Sequence, residues 1–372
     1  MSSRPVVITG FGLICPPPLN EALAGRLQAP PQPTPEITAF EVPEGAPAWG
    51  FEVLDFSLEK ELPNIKSFVD RTSALALGAA KLALTSAGLL SAEQRPGDIG
   101  CAYGTTLGCL EAMGIFWNKV KTSNPKFAQP LPFTHGYANS PSSLLCIEFG
   151  LRGPAATFSG ERLAGMEALL FAHDQIASGA GEIILAGASD SLTQAAYNHL
   201  LATGQLSRSG NWDDGIVPGE GAAMIIVESQ DSAKKRGARI LAGIDGINLL
   251  RVDETAAEPP MHVATPPQRT VVLVSTPNKH RGGGRVDPRW ALEMPLIAPR
   301  YYTGDMLAAS PLAGVALGAG ILGRCFAGVS ASVLPLVRPC ALESCVQYAV
   351  ATGYDTSGTM GLTMLRRPVT SD

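Results

Sequence analysis

Residues 159–191 read SGERLAGMEALLFAHDQIASGAGEIILAGASDS, and no other stretch constrains the fold as tightly. Leu163, Met166, Leu169, Leu170 and Ile176 recur at helical spacing on one face. Ala164, Gly165, Ala168, Ala172 and Ala177 keep much of the remaining surface small. A helix that is apolar or small nearly all round belongs between layers and not on a surface. Glycines end it, and EIILAGASD then reads as a buried strand. Such a pair requires a layered α/β architecture. One residue does not fit: Arg162 stands where the turn enters the helix, and a helix N-terminus already carries partial positive charge.

The rest of the chain repeats this alternation. PVVITGFGLI is a β-branched run ending in a glycine turn, and 70–90 carries apolar residues at helical spacing after an acidic start. A strand over 98–106, a helix over 107–120, a helix within 142–154 stopped by its Gly-x-x-Gly-Pro, and the short strand AATFSG follow. AAMIIVES, RILAGIDGINLL, TVVLVST and GTMGLTMLRR are further strand candidates, while the proline-rich 29–49 cannot hold a helix. Strands and helices alternate in both halves, so two similar units are expected.

Composition narrows the function. A net charge of −5 leaves no basic footprint for nucleic acid. Only 16% of the 372 residues are charged, which hints at a sizeable protein interface. Seven cysteines without a C-x-x-C pair read as reduced core thiols of a cytoplasmic protein, with no metal pattern. The N-terminus lacks the basic and apolar regions of a signal peptide. The apolar run 308–323 is rich in Ala and Gly, contains Pro311 and ends at Arg324, so it reads as a core helix and not a membrane span.

Seven fragments in this order resemble the β-ketoacyl synthases of the thiolase fold over nearly the whole chain. They include VVITGFGLICP, DRTSALALGAAKLALTSAGL, FGLRGPAATFSGERLAGMEAL, GASDS and, most specifically, DDGIVPGEGAAMIIVES. The resemblance implies an α/β thiolase-like fold of two similar βαβαβ-type halves in an α-β-α-β-α layering. The first half would span 1–235 and the second 236–372, with a connection over 245–270 that is shorter than in active members.

An active synthase carries a thiolate at the mouth of a buried helix, where the helix dipole favours negative charge, and two histidines that assist decarboxylation. In this chain the cysteine position falls on Arg162 and the second histidine on Asp305. The lysine before that histidine falls on Arg300, and the gate phenylalanine falls on Thr356. The first histidine is not readable after VVLVST, and His280 comes four or five residues late. A guanidinium offers no lone pair, so this elbow cannot form an acyl-enzyme. No catalytic residue is therefore assigned: Arg162, Asp305 and Thr356 are degenerate positions.

Within the family, such a chain resembles the chain length factor of type II polyketide synthases, in which a glutamate, here Glu161, precedes the replaced cysteine. Glutamine is usual at the cysteine position, so Arg162 is a departure. The resemblance implies a subunit inactive alone that pairs with an active ketosynthase as a heterodimer or heterotetramer, at no membrane. The growing chain would ride on the phosphopantetheine of an acyl carrier protein, with no other cofactor. It would run along a tunnel limited by Leu110, Met113, Gly114 and Trp117, which form one helical stripe; plain core packing is the competing reading. His135, Phe158, Glu161 and Arg162 are interface candidates. Arg162 is expected to pair with Glu161 or with an acid of the other subunit, Asp305 to make ordinary hydrogen bonds, and Cys109 to be a core thiol. The alternative is a non-catalytic structural homodimer of the same fold.

Overall fold

A computed structural model describes residues 4–17, 34–65, 67–91, 98–123, 125–212, 214–251, 269–275, 296–326 and 346–368. Its strands form one ten-stranded sheet in the order β3-β2-β4-β5-β1-β6-β10-β9-β7-β8. The first five are β1 (Val6–Ile14), β2 (Ile99–Thr105), β3 (Ala155–Ser159), β4 (Ile183–Asp190) and β5 (Gly221–Ser229). The second five are β6 (Ala242–Arg251), β7 (Thr270–Val274), β8 (Leu296–Ile297), β9 (Tyr348–Tyr354) and β10 (Thr359–Arg366).

The two halves follow one pattern. In the first, β1 and β4 run antiparallel to β5, while β2 runs parallel to β4 and β3. In the second, β6 and β9 run antiparallel to β10, while β7 runs parallel to β9 and β8. The halves join where Val6, Val7 and Ile8 of β1 face Ile244, Gly243 and Ala242 of β6.

The helices that matter for the site are α1 (Arg71–Ser86), α2 (Leu110–Thr122), α3 (Pro130–Thr134), α4 (Ser140–Phe149), α5 (Ala164–Ser178), α6 (Gln194–Ala202) and α7 (Ala309–Leu322). Helices α5 and α7 lie between the sheet halves. Ala168, Leu169, Ala172, Leu312 and Ala316 share one core with Ile184 and Ile225 of the first half and with Val271 and Leu273 of the second. On the outer face of the first half, α1 and α4 bury Leu75, Ala79, Leu84 and Leu145 against Cys101, Leu185 and Ile226. Strand residues alternate accordingly: Val271 and Leu273 point inward, Val272 and Val274 outward. The outer helical layer expected over the second half falls outside the described residues, as does His280; of the connection read over 245–270, residues 245–251 belong to β6 and Thr270 opens β7, and 252–268 lie outside the described residues.

Sequence-based boundaries shift by a few residues. Asp70 caps α1 by accepting from Thr72 N at 2.9 Å, and its second oxygen accepts from Ala112 N at 2.9 Å, tying α1 to α2. Helix α4 stops at Gly150, which takes the left-handed conformation, at the first glycine of the Gly-x-x-Gly-Pro stop that the sequence shows. Helices α3 and α6 and strands β8 and β9 have no counterpart in the sequence reading; α3 and β8 are short, and β9 follows a stretch without clear alternation. The apolar run becomes α7, buried along nearly its whole length, with Pro311 in its first turn, where proline is tolerated. Among the described residues no helix is long and apolar enough to cross a membrane.

Candidate functional site

The C-terminal ends of β2 and β4 meet the N-terminal ends of α5 and α7, and glycines allow the approach. A Cβ on Gly104 of β2 would lie 2.4 Å from the backbone of Ala164, and one on Gly165 would lie 2.4 Å from the Ala308 carbonyl. Both neighbours are backbone, so neither can yield cheaply.

Asp190, at the end of β4, anchors this junction. It is fully buried and accepts from Thr105 Oγ1 at 2.9 Å, from Thr106 N at 3.0 Å, from Leu107 N at 2.8 Å and from Ala308 N at 3.1 Å. Burial pushes its carboxyl up to about 6, outweighing the hydrogen bonds that pull it down. Sequence reasoning singled out GASDS only as a family fragment; the available signal was an acid ending an otherwise apolar strand.

Arg162 occupies the turn between β3 and α5 and is 7% exposed. Its Nε donates to Asp305 Oδ2 at 2.9 Å, and its Nη2 donates to Gln205 Oε1 at 3.0 Å. The partner is therefore neither Glu161 nor an acid of another subunit, but a residue 143 positions away in the same chain. Asp305, 1% exposed, does more than make ordinary hydrogen bonds: it neutralises Arg162 and also accepts from Leu307 N at 3.0 Å. Leu307 has φ +51, a left-handed backbone rare for a non-glycine residue, held directly before α7. A carboxylate at the start of α7 is favoured by that helix's dipole, and this helps to offset the unfavourable cation at the start of α5.

Glu161 points the other way. Its Oε2 accepts from Thr356 N at 2.7 Å and from the Thr356 hydroxyl, joining the elbow to the turn between β9 and β10. The positions read as altered thus pair off within the chain: Arg162 with Asp305, Glu161 with Thr356. Chemically the elbow presents a neutralised ion pair between Arg162 and Asp305.

The other candidates lie elsewhere. Leu110 and Met113 are half-buried, whereas Gly114 and Trp117 are exposed, Trp117 at 51%. Phe158 is half-buried against Phe171, with ring centroids 5.9 Å apart. His135 sits edge-on to Phe68, its Nδ1 is buried without a partner, and burial lowers its pKa. Cys109 is buried, meets Ser73 Oγ at 3.6 Å and is pushed well up by burial, as suits a core thiol. Among the described residues no cluster of His, Cys, Asp or Glu could hold a metal ion.

The family model of the β-ketoacyl synthase N-terminal domain matches residues 42–233, just over half of the chain. The chain belongs to the β-ketoacyl synthase family. A putative polyketide β-ketoacyl synthase 1 of Streptomyces cyaneus is 29% identical over 269 residues, covering 66% of this chain and 63% of that protein. The chain thus spans slightly less than two thirds of the length of the curated synthases it matches. A solved structure of the ishigamide ketosynthase/chain length factor shares the synthase fold with a TM-score of 0.78 at 21% identity, over 99% of this chain and 100% of that one. A type II polyketide synthase acyl-carrier protein in complex with its ketosynthase, AntDE:AntF, gives 0.71 at 18%, over 98% and 100%. The layered α/β arrangement is thus the thiolase-like synthase fold.

Proposed function

We propose that this chain is a catalytically degenerate ketosynthase subunit, a chain length factor that pairs with an active ketosynthase and shapes the tunnel for an acyl chain borne by a carrier protein. The observation that carries this reading is the buried Arg162–Asp305 pair, which fills the elbow where a synthase needs a thiolate and a histidine. A stable ion pair there serves the fold and not acyl transfer. The likeness to ketosynthase/chain length factor structures supports the same reading.

The surface supports pairing. Among the described residues strand β3 ends the sheet. On α2, α3 and the segments around them, Ile115, Trp117, Phe127, Leu131, Phe133 and Tyr137 are exposed. Phe116, Phe133 and Tyr137 pack into one aromatic surface through tilted and edge-on contacts, with centroid separations of 4.9 and 5.2 Å. Exposed apolar area of this kind marks an interaction face. The exposed Gly114 and Trp117 and the half-buried Leu110 and Met113 would meet the partner there and bound the tunnel from its side. The pair would act in the cytoplasm, with phosphopantetheine as the only carrier group.

The test is co-expression with a ketosynthase holding intact Cys-His-His, followed by reconstitution with carrier protein and malonyl units. A stable heteromeric complex that makes a defined product, with altered product length in Trp117→Ala, is the expected result. A homodimer of this chain that ignores the synthase would overturn the proposal in favour of a purely structural role. Unaltered product length in Trp117→Ala would remove that residue from the tunnel.

A further inference from the structure

The fold brings Cys101 of β2 and Cys146 of α4 into contact. Cys101 is 1% exposed and belongs to the core that α1 and α4 form against the sheet, while Cys146 packs against that core from its edge. The Cys101 thiol donates a hydrogen bond to the Cys146 sulfur.

The backbone holds this contact in register. Leu151 N donates to Cys146 O at 2.9 Å, Gly153 N to Ile99 O at 3.0 Å and Cys101 N to Pro154 O at 2.9 Å. These bonds fasten the segment that follows α4 to β2 on both sides of Gly100. Gly153 permits the approach, because a Cβ there would lie 2.7 Å from Gly100 N. The stop that ends α4 therefore also sets the two sulfurs side by side.

The two thiols differ in access and in charge. Around Cys146 on α4, Ser143, Ile147 and Gly150 are exposed, Ile147 at 77%, and Cys146 itself is half-buried at this open flank. The hydrogen bond from Cys101 lowers the Cys146 thiol to about 7 against the opposing effect of burial, so much of it is thiolate at neutral pH. The same bond and burial hold Cys101 well above the usual thiol range, so it keeps its proton out of reach of solvent. An accessible thiolate beside a protected thiol is the arrangement of an oxidisable pair.

From this juxtaposition we propose that Cys146 and Cys101 form a reversible oxidation site for a small hydroperoxide, with Cys146 as the thiol that reacts first and Cys101 as the one that resolves it. In the first step the Cys146 thiolate attacks one peroxide oxygen. The S–O bond forms, the O–O bond breaks, the sulfur is oxidised to a sulfenic acid and the second oxygen leaves as hydroxide. In the second step the Cys101 sulfur attacks the sulfenic sulfur. The S–S bond forms, the S–O bond breaks, and the Cys101 proton leaves with the hydroxyl as water. Two electrons pass from the sulfur pair to the peroxide. The bridge ties β2 to α4 around residues 102–145, the segment that carries α2, α3 and the exposed aromatic surface. The site makes no use of the Arg162–Asp305 pair and does not depend on pairing with a ketosynthase.

The test is peptide mapping of the full reduced chain after brief exposure to one equivalent of hydrogen peroxide and quenching with N-ethylmaleimide. The expected product is a Cys101–Cys146 cross-linked peptide that dithiothreitol removes, with Cys15 and Cys109 still reduced. It should form about fivefold or more faster than Cys325 loses its thiol, since the gain in thiolate exceeds the loss of intrinsic nucleophilicity; Cys325 is exposed and its thiol is raised. The oxidised chain should also unfold at a higher urea concentration than the reduced one. In Cys101→Ala the sulfenic acid on Cys146 should persist and take up dimedone, and in Cys146→Ala Cys101 should stay reduced. The mapping of the parent needs no variant to fold. Passage of Cys146 to sulfinic acid without the cross-link, oxidation no faster than that of Cys325, or a cross-link formed only in urea overturns the proposal. So does oxidation of Cys101 in Cys146→Ala at the parent's rate, which would make Cys101 the reactive thiol.

Discussion

The Arg162–Asp305 pair makes the sharpest quantitative prediction. Both groups are almost out of water, at 7% and 1% exposure, and they meet at 2.9 Å. At an effective dielectric constant of about 20, that separation corresponds to roughly 6 kcal/mol of gross attraction before desolvation is counted. Desolvation consumes much of this, so the pair adds little compared with an apolar pair of the same volume. Breaking it from one side is different, because it strands a buried charge at a cost of about 3–5 kcal/mol. Gln205 and Leu307 N still bind the survivor in each case, which places the expected loss near the lower end. At about 2.1 cal/mol/K per residue, the unfolding entropy of a 372-residue chain is roughly 0.8 kcal/mol/K, so ~3 kcal/mol lowers Tm by about 4 °C. The assay is a double-mutant cycle of Arg162→Met and Asp305→Leu followed by urea and thermal unfolding. Each single variant should lose about 3 kcal/mol, and the double variant should recover most of it, giving a coupling energy of about 2 kcal/mol or more. Additive losses, with coupling below about 0.5 kcal/mol, would refute the reasoning.

Two further outcomes follow from the titrating groups. A hydrogen bond from Cys101 lowers the Cys146 thiol to about 7, whereas burial raises Cys15 to about 12. Iodoacetamide should therefore label Cys146 of the folded chain with a midpoint near neutral pH, Cys101→Ala should move that midpoint upward, and Cys15 should stay unlabelled; an unchanged midpoint in Cys101→Ala would count against the thiol pair. Asp190 is raised in the folded chain from 3.8 to about 6, so the folded state holds its proton where the unfolded state has released it. Its contribution is full below about pH 4 and is lost as pH rises to about 6, a change on the order of 3 kcal/mol. Urea midpoints measured across that window should fall for the parent and flatten in Asp190→Asn, and parallel pH profiles for the two would refute the assignment.

The elements were legible in the sequence wherever burial imposed a period. Helix α5, helix α7 and strands β4, β5 and β7 are buried on both sides, so their composition announces them. Short surface elements such as α3 and α6 were not legible, because half-exposed residues are free to vary in polarity. The site divides along another line. Family resemblance located Arg162, Asp305, Glu161 and Thr356 one by one, but a pairing across 143 residues leaves no local trace. An arginine at the start of a helix looked like an electrostatic error only while its partner was missing.

That partner also explains why the two substitutions belong together. A cation at the start of α5 is tolerable because an anion stands at the start of α7, and the anion is tolerable in a site with 1% exposure because the cation is there. Restoring either family residue alone would strand the other as an unpaired buried charge. Each single change would therefore carry the ~3 kcal/mol loss worked out above, and only the two together escape it.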